Sequence, residues 1–248
     1  CDENTINIID PDHFELGSMG GYFTYQEFLD ILDTMATLYP DLISVKQPIG
    51  DFLTHEGRPV YWVQISDNPT ANEPDEPQVL YTALHHAREP ASLSQLIYYM
   101  YYLLENYSSD PEIHGLVNNT AMYFVPMVNP DGYMQNQTTN PNGGGMWRKN
   151  KRDNDGVLND AGVDLNRNYG YEWGGLGTSN DFSSNVYLGP SAFSEPETQA
   201  IKFFTETHNF TFALNYHTSG NLLLYPYGYD YNQFTPSNSY FEAFTPIM

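Results

Sequence analysis

Cysteine is almost absent, with Cys1 the only one in 248 residues. A single thiol closes no internal disulfide, so the fold rests on its core, and a chain of this length needs no staples. Basic residues are scarce too. Lys and Arg total 9 against 31 Asp and Glu, a formal charge of −22. Such a field repels phosphate backbones and anionic headgroups, which excludes nucleic acid and anionic membrane surfaces as partners. A well-solvated surface is the plain account of so much acid, and it suits a secreted protein in an extracellular or saline setting. No apolar run reaches the ~20 residues of a transmembrane segment. No signal or transit peptide is visible at the N-terminus, so the sequence reads as a mature or trimmed form. Cys1 is compatible with lipoprotein anchoring, but an arbitrary cut end is the plainer reading.

What is present is an alternation of strands and helices without internal repeats or a dividing linker. Residues 1–20 are polar and irregular, and 21–248 read as one domain. Thr24 to Leu38 is predicted helical. Thr24 and Glu27 have capping-box spacing, Phe28, Ile31, Leu32 and Met35 recur on one face, and Pro40 stops it. Ser92–Tyr107 shows a broad apolar face, and Ser194–Thr207 opens with a second capping-box pattern, Ser194 with Glu197. Leu42–Pro48, Val60–Ser66, Val79–His85, Ala121–Val128 and Phe210–His217 are predicted strands, rich in β-branched and aromatic residues. The fold class is α/β: a mixed, mostly parallel central sheet flanked by helices. Sites in such sheets form at the carboxyl ends of strands. Asn129–Gly189 reads as a long polar loop, and loops of that length are usually functional.

Three clusters carry chemistry. His86 and Glu89 stand three apart where an apolar strand meets a helix, and two such side chains converge on one metal ion. By itself this pattern also describes a polar turn with a solvated ion pair. His217 ends another apolar strand, where a lone histidine is more often a core residue. Two strand-end clusters in one sheet favour the metal, because strand ends lie close together. His85 neighbours a ligand but points away if strand alternation continues through it. Asn166 and Arg167 make a fork of donors suited to a carboxylate. Of nine basic residues, Arg148, Lys149, Lys151, Arg152 and Arg167 gather in this one region, which surface solvation explains poorly.

Together the motifs His86-Ala87-Arg88-Glu89, Asn129-Pro130-Asp131-Gly132, Trp147-Arg148-Lys149, Gly162 to Asn168, Ser194 to Thr198, Tyr216-His217 and Leu223 to Gly228 resemble zinc metallocarboxypeptidases, the family of pancreatic carboxypeptidases A and B. Leu84 to Glu89 and Asn168 to Trp173 are similar to the bacterial carboxypeptidase T branch. The similarity runs from about Gly21 to Tyr229. It implies a zinc-dependent exopeptidase that removes C-terminal residues from peptides or proteins with a free carboxylate. His86, Glu89 and His217 match the zinc ligands, a set implied by the family rather than by the spacing. Arg148 matches the arginine that polarises the scissile carbonyl, and Asn166 with Arg167 the pair that grips the terminal carboxylate. Arg88 matches an arginine of the outer cleft. Asp164 matches the carboxylate bonded to a ligand histidine.

The sequence departs from the family at Ser219, where a tyrosine is usual. The family's general-base glutamate, mobile tyrosine and specificity-pocket residue are expected beyond Met248. The domain is therefore expected to be incomplete, with C-terminal strands and a helix still to come. Two rival readings follow from the same residues: a non-catalytic zinc- or peptide-binding homologue, and a same-fold hydrolase of cell-wall peptides. Calcium is a further expectation, at Asp153-Asn154-Asp155-Gly156 or at Glu73, Asp75 and Glu76, although Lys151 and Gly162 occupy ligand positions of an EF-hand and an ordinary solvated loop is the plainer reading of both.

Overall fold

The computed structural model describes residues 10–71, 73–154, 156, 162–230 and 232–244. Cys1, Asp155 and Met248 lie outside the described residues. Five strands form one sheet: β1 (Gln47–Leu53), β2 (Pro59–Ile65), β3 (Gln78–Ala83), β4 (Ala121–Val125) and β5 (Phe210–Tyr216). Their order is β1-β2-β4-β3-β5. The sheet is mixed, as expected, but not mostly parallel among the described residues: β1–β2 and β2–β4 are antiparallel, β3–β4 and β3–β5 parallel. The helices are α1 (Tyr25–Leu38), α2 (Pro90–Asn106), α3 (Pro111–Val117), α4 (Pro130–Thr139), α5 (Pro196–Thr207) and α6 (Asn238–Phe244).

Alternation along the strands divides the core into two. Met122 and Phe124 of β4, with Tyr81 and Ala83 of β3, face a cluster built from α1, α2, α3 and Tyr133 of α4. Tyr123 and Val125, with Leu80 and Val60, face Ala200, Ile201 and Phe204 of α5. Successive side chains of a strand point to opposite faces, so helices on both faces bury the whole strand. All five residues of β4 are buried accordingly. No described helix is long and apolar enough to cross a membrane.

Local rules hold where tertiary contacts do not compete. Thr24 caps α1 as expected, accepting from the backbone N of Glu27 while Glu27 Oε2 accepts from the Thr24 N at 2.7 Å. The first strand begins later than its sequence suggests. The amides of Leu42 and Ile43 bond back to Tyr39 O in the turn after α1, so only an isolated Ile43–Ile65 bridge forms there. The second capping box does not form. Glu195 is the N-cap of α5 and makes no side-chain cap bond. Ser194 Oγ donates instead to Glu195 Oε1, and Glu197 is buried against Asn150.

Candidate metal centre

The register of the parallel pair places the site. Ala83 of β3 pairs with Tyr216 of β5, so His86 and His217 emerge just beyond neighbouring strands at the same carboxyl edge. His86 Nδ1 lies 2.8 Å from Glu89 Oε1, and His217 Nδ1 lies 2.9 Å from Glu89 Oε2. The two Nδ1 atoms are 3.2 Å apart. Three candidate ligands thus meet in one triangle, as the sequence predicts.

The donor set fits zinc. Two imidazole nitrogens and one carboxylate make the three-ligand set of an open zinc site. Nitrogens facing each other at this distance share at most one proton, and a cation relieves the clash of lone pairs. On its far side His86 Nε2 lies 3.2 Å from Asp164 Oδ1. The contact falls short of a hydrogen bond, but with a metal in the triangle a hydrogen on Nε2 would face this carboxylate and leave the Nδ1 lone pair for the metal. Asp164 is fully buried, and its Oδ2 accepts from Arg148 Nε and Nη2 at 3.1 and 2.8 Å. Arg148 Nη1 reaches to 3.8 Å from Glu89 Oε1. Burial opposes ionisation of Glu89 and Asp164, but hydrogen bonds from His217 and His86 hold the Glu89 carboxyl well below its usual range, and His86 and Arg148 do the same for Asp164. Burial also opposes charging of His86, and its bonds to Asp164 and Glu89 outweigh that and raise its pKa.

The turn carrying Asn166 and Arg167 hangs from the same carboxylate. Leu165–Arg167 is a single 3-10 turn whose N-cap is Asp164, with Asp164 Oδ1 accepting from the Asn166 N at 3.0 Å. Arg167 Nε donates to Gly177 O and Nη1 to Asn166 O, both at 2.9 Å. Neither Asn166 nor Arg167 bonds the ligand triangle directly; Asp164 is the link. Arg88 is half-buried and lines a cavity of about 170 Å³ with Met19, Tyr22 and Met146. The basic cluster read from sequence disperses. Lys149 donates to Phe182 O, Lys151 to Gln135, and Arg152 to Glu195.

Sequence reasoning misplaced His85. Its imidazole is buried and lies over His217, ring centroids 5.6 Å apart and 29° from coplanar, with Nε2 at 2.8 Å from the Tyr169 hydroxyl. Pairing of β3 stops at Ala83, and Leu84 has φ 55°. A left-handed residue breaks the alternation, so His85 and His86 both turn toward the centre. Burial, with His217 and His86 nearby, pushes the His85 pKa down to about 3. Two asparagines were also missed as site-builders. Asn129 Nδ2 donates to His85 O, and Asn136 Nδ2 to Ala87 O and Trp147 O. They tie the ligand turn to the Arg148 segment. Asn129 stands in a motif that carries the family resemblance and has the pattern of an N-cap followed by proline, but neither signal gave it this role, and Asn136 had none.

Elsewhere, Asp67, Glu73 and Glu76 bring carboxylate oxygens within 4.8 Å of one another. Asp75 is not in that group. His55, Glu195 and Glu197 form a second such cluster, held by Asn150 and Arg152.

Comparison with known proteins supplies the family. Residues 28–245 match the zinc carboxypeptidase family. Carboxypeptidase A4 of Mus musculus is 33% identical over 85% of this chain and 48% of its own length. The inactive metallocarboxypeptidase ecm14 of Talaromyces marneffei is 32% identical over 90% of the chain and 38% of its own length. The chain thus spans about half, or less, of the relatives it matches. The crystal structure of carboxypeptidase A from Helicoverpa armigera superposes with a TM-score of 0.75 at 29% identity, covering 90% of this chain and 52% of that one. The family match and the fold agree, and the chain belongs to the zinc carboxypeptidase family.

Proposed function

We propose that this chain carries the metal-binding and carboxylate-recognising part of a secreted exopeptidase that hydrolyses the C-terminal bond of peptides and proteins. One observation carries the reading: Asp164 joins His86, Arg148 and the Asn166–Arg167 turn, so metal ligation and carboxylate recognition share one buried anchor. The chemistry that zinc supplies when held by His86, Glu89 and His217 is polarisation of a carbonyl and activation of water. Arg148 presents Nη1 beside Glu89, where it stabilises negative charge developing on the scissile carbonyl oxygen. Asn166 is exposed and Arg167 half-buried, and together they hold the substrate's terminal carboxylate. Arg88, at its cavity, takes substrate residues upstream of the cleaved bond. Glu89 and Asp164 are both committed, one to the histidine pair and one to His86 and Arg148, so the general base is a different residue.

The test is a panel of blocked peptides offered to the full-length protein with free or amidated C-termini. Cleavage of the free form alone, abolished by a chelator, is expected. Equal cleavage of both forms would overturn the carboxylate reading.

For calcium, the reading favours Asp67, Glu73 and Glu76 over the loop at Asp153. Asp67 Oδ1, Glu73 Oε2 and Glu76 Oε2 are buried without hydrogen-bond partners, and an all-oxygen set suits this cation. Calcium is expected to raise the melting temperature of the wild type and not of Glu76→Gln; a melt indifferent to calcium removes the idea.

A further inference from the structure

The two histidines of the triangle are oriented by different means. His86 has Asp164 on its far nitrogen. His217 has only Nδ1 contacts, to His86 and Glu89, and its Nε2 makes no hydrogen bond among the described residues. Its side chain is 30% exposed. A metal-ligating histidine ordinarily donates its other ring nitrogen to a carboxylate or carbonyl, which fixes the ring plane. Without that bond, rotation about the Cβ–Cγ torsion is broad. The His217 ring rests instead on the face of His85, with His86 tilted against it at 4.7 Å between centroids.

His85 is itself held firmly. It is 4% exposed, its Nδ1 is buried without a partner, and its one side-chain hydrogen bond is to the Tyr169 hydroxyl. The Tyr169 ring meets Phe193 edge-on at 5.9 Å, and Tyr169 lies two residues past Arg167. We propose that His85, braced by Tyr169, is a positioning residue that sets the plane of the His217 imidazole and thereby its lone-pair direction at the metal. The inference rests on the zinc reading of His86, Glu89 and His217. It assigns His85 no contact with substrate and no proton transfer. The stack does for His217 what Asp164 does for His86, and it anchors that ligand in the segment bearing the carboxylate-binding pair.

The experiment uses the full-length protein loaded with zinc, and a parallel sample loaded with cobalt(II), whose visible spectrum reports ligand geometry. His85→Leu fills the space without a flat face. Tyr169→Phe removes only the brace and keeps the ring against Phe193. His85→Phe restores a flat face. Loss of an orienting partner weakens metal binding about 10–100-fold. Zinc dissociation into excess chelator is expected to speed up about 10-fold in His85→Leu and less in Tyr169→Phe. Both variants shift the cobalt spectrum, and His85→Phe recovers most of the dissociation rate. A role in packing alone lowers the melting temperature of the chelated protein and leaves both metal readouts at wild-type values. Wild-type dissociation rates and spectra in Tyr169→Phe and in any folded His85→Leu would therefore overturn the proposal. A wild type that takes up no stoichiometric zinc would remove the metal reading beneath it, a failure seen before any variant is made.

Discussion

Asp164→Asn is the sharpest single perturbation, because one buried carboxylate serves three partners. Asparagine keeps the size and one carbonyl oxygen, so it still caps the Asn166 amide. It deletes the charge that receives two donors from Arg148 and faces His86 Nε2. Arg148 is 11% exposed, so the change leaves a nearly buried guanidinium without its main counter-charge. Breaking a buried pair from one side costs about 3–5 kcal/mol. Glu89 remains at 3.8 Å from Nη1 and some solvent reaches the group, which argues for the low end, about 3 kcal/mol. Separately, losing the orienting partner of a ligand histidine lowers metal affinity about 10–100-fold.

Urea unfolding of the chelated protein measures the first cost, and chelator competition measures the second. A double-mutant cycle with Arg148→Gln separates them, since the stability cost of Asp164→Asn shrinks in that background if the ion pair is its source. The pH dependence has a definite sign. The Asp164 carboxyl is held below its usual value, so its contribution is present above the unfolded pKa of about 4 and is lost as pH falls through the lower folded one. The variant's stability should fall less steeply in acid. Less than 1 kcal/mol lost, with zinc affinity within about twofold of wild type, would refute the shared-anchor reasoning.

His217→Ala removes one of three ligands, and metal analysis of the full-length protein is expected to fall from one zinc per chain to a small fraction; full occupancy would show the assignment wrong. On the proposed reading Arg167→Ala removes a charged contact to the substrate carboxylate of about 1.5–3 kcal/mol, so hydrolysis of free-carboxylate substrates should drop roughly 10–100-fold, well beyond the loss of stability from its bonds to Gly177 O and Asn166 O. Burial pushes the Glu197 carboxyl up to about 7, so its contribution is full below the unfolded pKa of about 4.3 and is lost as pH rises through 7. Glu197→Gln, which still accepts from Asn150, should flatten the fall in melting temperature between pH 5 and 8; parallel curves for both proteins would show that Glu197 is not its source.

What sequence makes legible here is what local chemistry decides. The Thr24–Glu27 box forms although the Ser18 amide also approaches the Glu27 carboxylate, because two carboxylate oxygens have lone pairs for both amides. At Ser194 the same spacing fails, because His55, Asn150 and Arg152, distant in sequence, recruit Glu195. Helix α4 was hidden inside an apparent loop, since its buried face includes Pro130, Asp131, Gly132 and Asn136 rather than an apolar stripe. The convergence of His86, Glu89 and His217 was legible because their motifs resemble a family's. His85 was lost because the alternation rule assumes a continuous strand, and no rule of residue preference places a leucine at φ 55°. The position of Asp164 at the centre of three partners is likewise a property of the folded chain.

On the proposed reading a chain of −22 binds a carboxylate, and local geometry resolves that opposition. Charges separated by more than about 8 Å are largely screened at physiological ionic strength. Most of the acid therefore does not act on a ligand at the centre, and the groups within contact distance do. There Asp164 is neutralised by Arg148, and Glu89 belongs to a site whose donors suit a divalent cation. Arg167 adds its own charge one short turn from Asp164. Only nine basic residues exist, and two of them are spent within four positions of Asp164 or bonded to it. A net charge that disfavours a nucleic-acid partner is therefore compatible with the proposed hold on an anionic peptide end, because the nearby cations Arg148 and Arg167 act at contact distance.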